Sequence, residues 1–208
     1  IISKLNYVIY EEIKSLKPEA RKKYEIPEVA YSALADIMKT LLVKRIDSSF
    51  QAFKKSLEKF LIKLKSKAKQ FEIGKIFIAP GIKEINISEY ILEDREEELE
   101  TILNNDLSRG EIYKPDDFDK SFYQKLISDL ELIEPLYDEW KTIEVDPKYD
   151  TLLKTLKDTI FKKSLNPGGK VVIFSEAKTT TDYLCKRLEK DGYNKILNIN
   201  ASNRSKLK

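Results

Sequence analysis

The chain has no histidine and only one cysteine, Cys185, among its 208 residues. Without histidine it offers neither an imidazole for acid–base catalysis nor a zinc site of mixed cysteine and histidine ligands. A single cysteine excludes an internal disulfide framework and fits a reducing compartment. Because Cys185 falls on the apolar side of a predicted helix, we expect a buried structural thiol rather than a nucleophile.

Glycine and long apolar runs are also scarce. Six glycines in the whole chain favour long helices over a loop-rich or all-β fold. No apolar stretch approaches the roughly 18 residues that a membrane-spanning helix needs, and no signal peptide is visible, so a cytoplasmic location is expected and no membrane partner. The chain begins at Ile1 and its only methionine is Met38. We therefore expect an excised piece of a larger protein.

Charge is abundant but balanced. The 38 basic and 35 acidic residues leave a net charge of +3, so an argument for a polyanionic partner must come from local patches. The richest local series lies in one predicted helix and consists of Lys54, Lys55, Lys59, Lys63, Lys65, Lys67 and Lys69. These lysines spread around the helix, which favours a solvated face. Contact with nucleic-acid phosphates is the alternative.

Hydrophobic periodicity predicts helices over 5–16, 28–44, 46–71, 88–105, 119–142, 149–165 and 179–190. Pro135 should kink or divide the fifth of these. The helix over 88–105 is rich in carboxylates, but they lack the spacing of a calcium loop and are interpreted as a solvated face. Short alternating runs at 74–80 and 111–113 predict two strands that can pair as a hairpin. We place a boundary near residue 146, with a helical region before it and an α/β region after it.

The last forty residues contain an incomplete strand–helix–strand unit. A glycine pair leads into the apolar run 171–174, a helix follows, and a second strand is predicted over 195–201. The preceding sequence NPGGK superficially resembles a phosphate loop. It precedes a strand instead of joining a strand to a helix, so it presents no helix N-terminus to a phosphate. No other phosphate-loop, dinucleotide-binding or nucleophile-elbow motif is present in the sequence.

The carboxyl end of the first of these strands is the predicted ligand site. In open α/β sheets ligands gather beyond the carboxyl ends of strands. The polar residues there are Ser175, Glu176, Lys178, Thr179 and Thr180. The free N–H groups at the start of the following helix suit a phosphate. Capping of that helix by Thr179 or Thr180 alone is an equally good interpretation.

Three sequence blocks resemble one family. Residues 170–193, KVVIFSEAKTTTDYLCKRLEKDGY, resemble the opening of the second RecA-like domain of superfamily 2 helicases and Swi/Snf-type translocases, and 198–204 are similar to the family's next segment. Residues 41–53, LLVKRIDSSFQAF, resemble a segment between the two motor lobes. Residues 146–153, DPKYDTLL, are similar to the lead-in to the second lobe. Two departures are Asp47, where the family has glutamate, and Asn200 or Ala201, where it has glycine.

This resemblance implies a parent protein that hydrolyses ATP with Mg²⁺ between two lobes and moves along nucleic acid, DNA in particular. The phosphate loop would lie before Ile1 and the arginine finger after Lys208, so the chain itself would hold no catalytic, cofactor-binding or metal-binding residue. Its partners would be nucleic acid, the first motor lobe and the remainder of the second. The implied nucleic-acid contacts are Ser175, Lys178, Thr179 and Thr180, with Lys44 and Arg45 as further candidates. A structural pairing of Arg45 with Asp47 is the alternative for the last pair.

The expected fold is mainly α with an incomplete α/β unit. Residues 1–146 would form a helical inter-lobe region with a small β-hairpin, and 147–208 the first strand–helix–strand unit of a RecA-like lobe. Two other function classes stay open. One is a non-enzymatic helical adaptor whose acidic and basic helices bind partner proteins. The other is a different small α/β enzyme, such as a methyltransferase lobe, which the missing glycine-rich turn after Phe174 disfavours.

Overall fold

The computed structural model of the chain describes residues 1–22, 28–78, 111–175, 178–200 and 203. The predicted acidic helix over 88–105 lies outside these residues. Within them the helices are α1 (Pro18–Arg21), α2 (Glu28–Ser48), α3 (Phe50–Ile73), α4 (Lys120–Lys141), α5 (Pro147–Thr155) and α6 (Lys178–Lys190), and the strands are β1 (Ile76–Ile78) and β2 (Glu111–Tyr113). Short 3₁₀ turns cover Ile2–Lys4, Val8–Tyr10 and Pro115–Asp117. The prediction of a mainly helical chain is confirmed.

The predicted pairing of the two short strands is also confirmed. β1 and β2 pair antiparallel, with Ile76 opposite Tyr113 and Ile78 opposite Glu111. The turn into β1 is made at Gly74, whose φ of +76° is left-handed and therefore suits glycine. Its N–H group donates to the carbonyl oxygens of Gln70 and Phe71, which closes the end of α3.

The long helix predicted over 46–71 is interrupted near its start. Residues up to Ser48 belong to α2, and Ser49 has an extended backbone with φ of −160°. The Ser49 hydroxyl accepts a hydrogen bond at 3.0 Å from the N–H group of Ala52 and so caps α3. Apolar spacing of three and four continues across this break, and for that reason the predicted boundary between the two helices, at residue 45, lies four residues too early.

The apolar seam of α3 forms the centre of the main core, as its spacing predicts. Phe53, Leu57 and Leu64 are buried there between α2 and α4. At one end the indole of Trp140 meets the ring of Phe53 edge-on, with 4.6 Å between ring centres. At the other end the ring of Phe71 lies near several aromatic rings of the segment that leads into α4. This continuous contact holds α3 along most of its length.

The helix predicted over 5–16 is wrong. That segment makes 3₁₀ turns, and Tyr7 has a left-handed φ of 54°. The Asp129 carboxylate of α4, which is fully buried, accepts hydrogen bonds from the N–H groups of Asn6 at 2.6 Å and Val8 at 3.3 Å and from the Asn6 side chain at 3.0 Å. These bonds hold the backbone in a non-helical turn. The apolar residues of the segment are buried as their pattern predicts, but without a regular helix.

Two later helices differ in their limits from the predictions. Pro135 lies inside α4, which is one helix from Lys120 to Lys141, so Pro135 does not divide it, and the alternative of a kink stays a prediction. The helix predicted over 149–165 instead starts at Pro147, turns into a π-helical segment at Leu156–Ile160 and ends there. The N–H group of Phe161 donates to the carbonyl of Leu156 at 3.0 Å, a bond that closes the wider turn.

The RecA-like strand–helix–strand unit is not confirmed. Its helix is present as α6, but neither 171–175 nor 194–200 is a strand in the part of the chain that the structure describes. A strand needs neighbours to take its backbone hydrogen bonds, and no described segment pairs with either run. The side chains of Val172 and Phe174 are 75% and 92% exposed. A second, smaller apolar cluster of Tyr149, Leu156 and Leu188 joins α5 to α6.

The Asp129 carboxylate yields a stability prediction. Replacing Asp129 by alanine leaves the buried N–H group of Val8 and the N–H groups of Asn6 without their acceptor, so the free energy of unfolding should fall by about 2–4 kcal/mol. The matched control is Glu131→Ala, an exposed carboxylate on the same helix, which should change it by less than about 0.5 kcal/mol. Urea unfolding measures both, and equal effects would contradict the assigned role of Asp129.

Candidate functional site

A cleft of about 520 Å³ lies where three distant segments of the chain meet. The junction of α2 and α3 provides one wall and the start of α5 another. The third comes from the residues that precede α6 and from its first turns. The polar residues that line the cleft are Lys44, Asp47, Ser48, Ser49, Asp146, Lys148, Ser175 and Thr180. Two lysines face two carboxylates in this set, so the cleft is polar but close to neutral.

A cluster of hydroxyl groups connects the helical region to α6. The Thr180 hydroxyl lies 2.7 Å from that of Ser48 and 3.2 Å from that of Ser49. The Ser48 hydroxyl also approaches that of Ser175, at 3.5 Å. Thr180 and Ser49 are buried. Since each hydroxyl can donate one hydrogen bond and accept two, the cluster is able to satisfy itself without water.

The start of α5 is tied to the end of α2. The buried Asp146 carboxylate accepts hydrogen bonds from the N–H groups of Lys148 at 3.1 Å and Tyr149 at 3.2 Å, and so caps the helix. Pro147 occupies the first helical position, where its missing N–H has no cost. The Lys148 ammonium group donates to the carbonyl of Asp47. This segment therefore positions one wall of the cleft against another.

Two tyrosines and an arginine hold α5 against α6. The Tyr149 hydroxyl donates to Asp191, and the Arg187 guanidinium lies 4.5 Å from the centre of the Tyr149 ring. Arg187 also donates to the Tyr183 hydroxyl at 2.9 Å. Burial, together with hydrogen bonding to Asp146, raises the pKa of Tyr183 to about 12. Sequence reasoning missed this cluster, although the i, i+4 spacing of Tyr183 and Arg187 is a usable signal.

The cleft brings together three of the six predicted nucleic-acid contacts: Lys44, Ser175 and Thr180. Lys44 is exposed, Ser175 is half-buried, and Thr180 is 5% exposed. Lys178 and Thr179 begin α6, half-buried, beside the cleft. Arg45 is 5% exposed and lies at the core side of α2. Glu176 is outside the described residues.

The interpretation of Thr179 or Thr180 as a helix cap is wrong. α6 already begins at Lys178, so both threonines lie inside its first turn. The Thr180 hydroxyl is used across the fold, by the serines of the α2–α3 junction. Only a tertiary contact distinguishes these two roles, because a threonine at either position has the same local sequence.

Several lysines of α3 have structural partners. The largely buried Lys67 ammonium group donates to Glu12 at 3.0 Å and to the carbonyl of Phe77 at 2.8 Å. Burial raises the pKa of Glu12, while the charge of Lys67 acts to lower it. Lys65 pairs with Glu134 at 2.5 Å, and Lys54 donates to the carbonyl of Ile143. The prediction of a solvated lysine face is therefore wrong at Lys67, whereas Lys65 is exposed despite its ion pair.

The prediction that Cys185 is buried is wrong. Cys185 is half-buried, and its thiol donates to a Glu189 oxygen at 3.5 Å. Partial burial and the nearby Glu189 carboxylate raise the pKa of the thiol. The apolar contacts of this helix are made instead by Leu184 and Leu188.

Neither a metal-ligand cluster nor a membrane-spanning helix occurs in the ranges that the structure describes. No group of three or more cysteines and carboxylates in these ranges is placed to hold a metal ion. Among the helices that the structure describes, none is both long and apolar enough to cross a membrane.

The hydroxyl cluster yields a second stability prediction. Thr180→Val keeps the shape of the side chain but leaves the Ser48 and Ser49 hydroxyls without their shared partner, so the free energy of unfolding should fall by about 1–2 kcal/mol. The control is Thr181→Val, which loses only a bond to the Lys178 carbonyl within the same helix. A calorimetric or urea melt in which the two variants match would refute the tertiary role of Thr180.

The raised pKa of Tyr183 gives a pH prediction. Its pKa is above the usual tyrosine value of 10 in the folded chain, so its contribution to stability is complete below pH 10 and is lost as the pH rises towards 12. Tyr183→Phe should therefore flatten the fall in stability between pH 10 and 12. Tyr123→Phe, at an exposed position of α4, is the control and should leave that fall unchanged. Denaturant unfolding at several pH values measures the free energy of unfolding of each variant across this range.

Comparison of the chain with protein-family models, with curated proteins and with solved structures found no match. Support for a function therefore comes from the sequence of the chain and from the contacts around its cleft. The feature that bears most directly on function is the meeting of three distant segments, through the hydroxyls of Ser48 and Thr180 and through Lys148.

Proposed function

We propose that this chain is the inter-lobe joint of an ATP-dependent nucleic-acid helicase or translocase of the Swi/Snf-like class, not catalytic by itself. One observation carries the proposal. The three sequence blocks that resemble this class, at 41–53, 146–153 and 170–193, meet at a single cleft. Nothing in their sequence spacing requires that meeting, since Ser48 and Thr180 are 132 residues apart and yet share a hydrogen bond.

The nature of the contact suits a joint. Hydroxyl groups that bond to one another can exchange partners over small displacements, whereas an apolar core resists sliding. On one side of the cleft, α2 and α3 belong to the main core. On the other side, α6 belongs to the smaller cluster that it forms with α5. A displacement of α6 would therefore be transmitted to the main core through the hydrogen bonds of Thr180 and Lys148.

The exposed apolar run before α6 supports an incomplete lobe. Val172 and Phe174 are among the most exposed apolar residues that the structure describes, and the run 171–174 has the composition of a buried strand. Such a run is stable when further strands cover it. We assign that cover to the remainder of the second lobe. ATP and Mg²⁺ would then bind to parts of the parent protein other than this chain.

The nucleic-acid contact that belongs to this proposal is made at the rim of the cleft. Lys44 is exposed there, and Lys178 and Thr179 lie at the start of α6. Ammonium and hydroxyl groups suit contact with phosphates irrespective of base sequence, as a moving motor requires. Arg45 and Thr180 are buried, so their role in the proposal is to hold these elements in place.

The parent protein offers the test. Lys178→Glu should raise the nucleic-acid concentration needed for half-maximal stimulation of ATP hydrolysis roughly three- to tenfold, equivalent to about 1 kcal/mol. Lys186→Glu, an exposed lysine later in the same helix, is the matched control and should have little effect. Equal responses of the two variants would contradict the proposed contact between Lys178 and nucleic acid.

Two further results would overturn the motor proposal itself. One is ATP turnover by the 208-residue chain alone. The other is a parent protein without nucleic-acid-stimulated ATP hydrolysis, which would favour the non-enzymatic adaptor. The exposed run at Val172 and Phe174 also fits that alternative, since an apolar patch can receive a partner protein.

A further inference from the structure

The segment 154–170 carries several exposed lysines, none of which lines the cleft, and we call this segment the basic surface. Its members are Lys154, Lys157, Lys162, Lys163 and Lys170, all exposed. Between the first and the last of them the chain has one carboxylate, Asp158. The excess of positive charge over these seventeen residues is larger than the net charge of +3 of the whole chain. Positive charge is therefore concentrated here and not spread evenly.

The local fold brings some of these lysines near one another. Lys154 and Lys157 are three residues apart along α5 and its π-helical extension, which makes them neighbours on one face. The chain then turns back, since the carbonyl of Lys162 accepts hydrogen bonds from the N–H groups of the third and fourth residues after it. The Asn166 side chain donates to the carbonyl of Lys170 at 2.8 Å, which folds Lys170 back against the same turn.

These lysines differ from the lysines of α3 that have structural partners. Lys67 is buried against Glu12, and Lys65 pairs with Glu134. By contrast, none of the five lysines of the basic surface makes a salt bridge or side-chain hydrogen bond with any residue that the structure describes. Ammonium groups this close along the chain repel one another, so an anionic partner relieves that repulsion.

We infer that this basic surface binds the phosphate backbone of a nucleic acid, without regard to base sequence. Lysine ammonium groups are compact charges on flexible stems, which suits phosphates at variable positions and carries no base readout. The inference depends only on the charge and fold of residues 154–170. It therefore stands whether or not the parent protein is a motor.

The fold favours a nucleic acid over two other anionic partners. A membrane-binding helix inserts an apolar face, but the apolar side of α5 is occupied by Leu156 and its neighbours in the small core. A protein interface usually centres on aromatic or arginine anchors, and this surface has no arginine and no exposed aromatic ring between residues 154 and 170. Apart from Leu165, whose side chain is 66% exposed, this segment offers a partner mainly charge.

The test is direct binding of the 208-residue chain to a fluorescent duplex of about 20 base pairs, followed by anisotropy across a salt series. The test variant is Lys157→Gln/Lys162→Gln/Lys163→Gln. The matched control is Lys55→Gln/Lys69→Gln/Lys75→Gln, three exposed lysines in and just after α3 that remove the same net charge. Far-UV circular dichroism establishes that both variants are folded.

The expected result is a loss of affinity of roughly tenfold or more in the test variant, with the slope of log K against log salt reduced in magnitude by about 2–3. The control variant should lose much less. Equal losses in the two variants would overturn the assignment, as would the absence of measurable binding by the unaltered chain at low salt. So would tighter binding to vesicles containing phosphatidylserine than to the duplex, with the same variants affected.

Discussion

The break between α2 and α3 at Ser49 is the constraint on which the rest of the arrangement depends. An uninterrupted helix would carry Ile46 and Phe71 on one straight rod and leave α2 no means of folding back onto α3. The Ser49 hydroxyl stabilises the break by accepting a hydrogen bond from the N–H group of Ala52. The same residue then contacts Thr180. One local capping event thus determines both the packing of the main core and the point at which α6 attaches to it.

Buried polar groups set the rest of the geometry. Asp129 organises the first turns of the chain by collecting backbone N–H groups, and Asp146 does the same for the start of α5. Burial raises the pKa of Asp129, and the hydrogen bonds from Asn6 and Val8 act in the opposite direction. Such a carboxylate is tolerated because its acceptors are filled. Each of these residues therefore ties together segments that apolar contact alone would leave free to slide.

The lysines divide into two populations with different roles. Those at 54, 65 and 67 of α3 have partners within the fold. Those between 154 and 170 are exposed, and the sequence between them contains one carboxylate, Asp158. In the sequence, the lysines of α3 are the larger series, and the alternative of phosphate contact was based on them. The tertiary structure reverses that order, because ion pairing depends on which carboxylates arrive from other elements. Glu12 and Glu134 are both far from α3 in sequence.

The sequence by itself determined the helices α2 to α6, the pairing of the two short strands and the identity of the core side chains. These follow from apolar periodicity and from breakers such as Gly74, which act locally. The tertiary structure decided the non-helical turn around Tyr7 and the burial of Arg45 and Thr180. It also left Val172 and Phe174 exposed in a run that reads locally as a buried strand. The physical reason is that the hydrogen bonds accepted by Asp129, and those that the Thr180 hydroxyl shares with Ser48 and Ser49, join segments that are distant along the chain. A strand likewise needs a pairing segment from elsewhere in the chain, and none is present among the described residues.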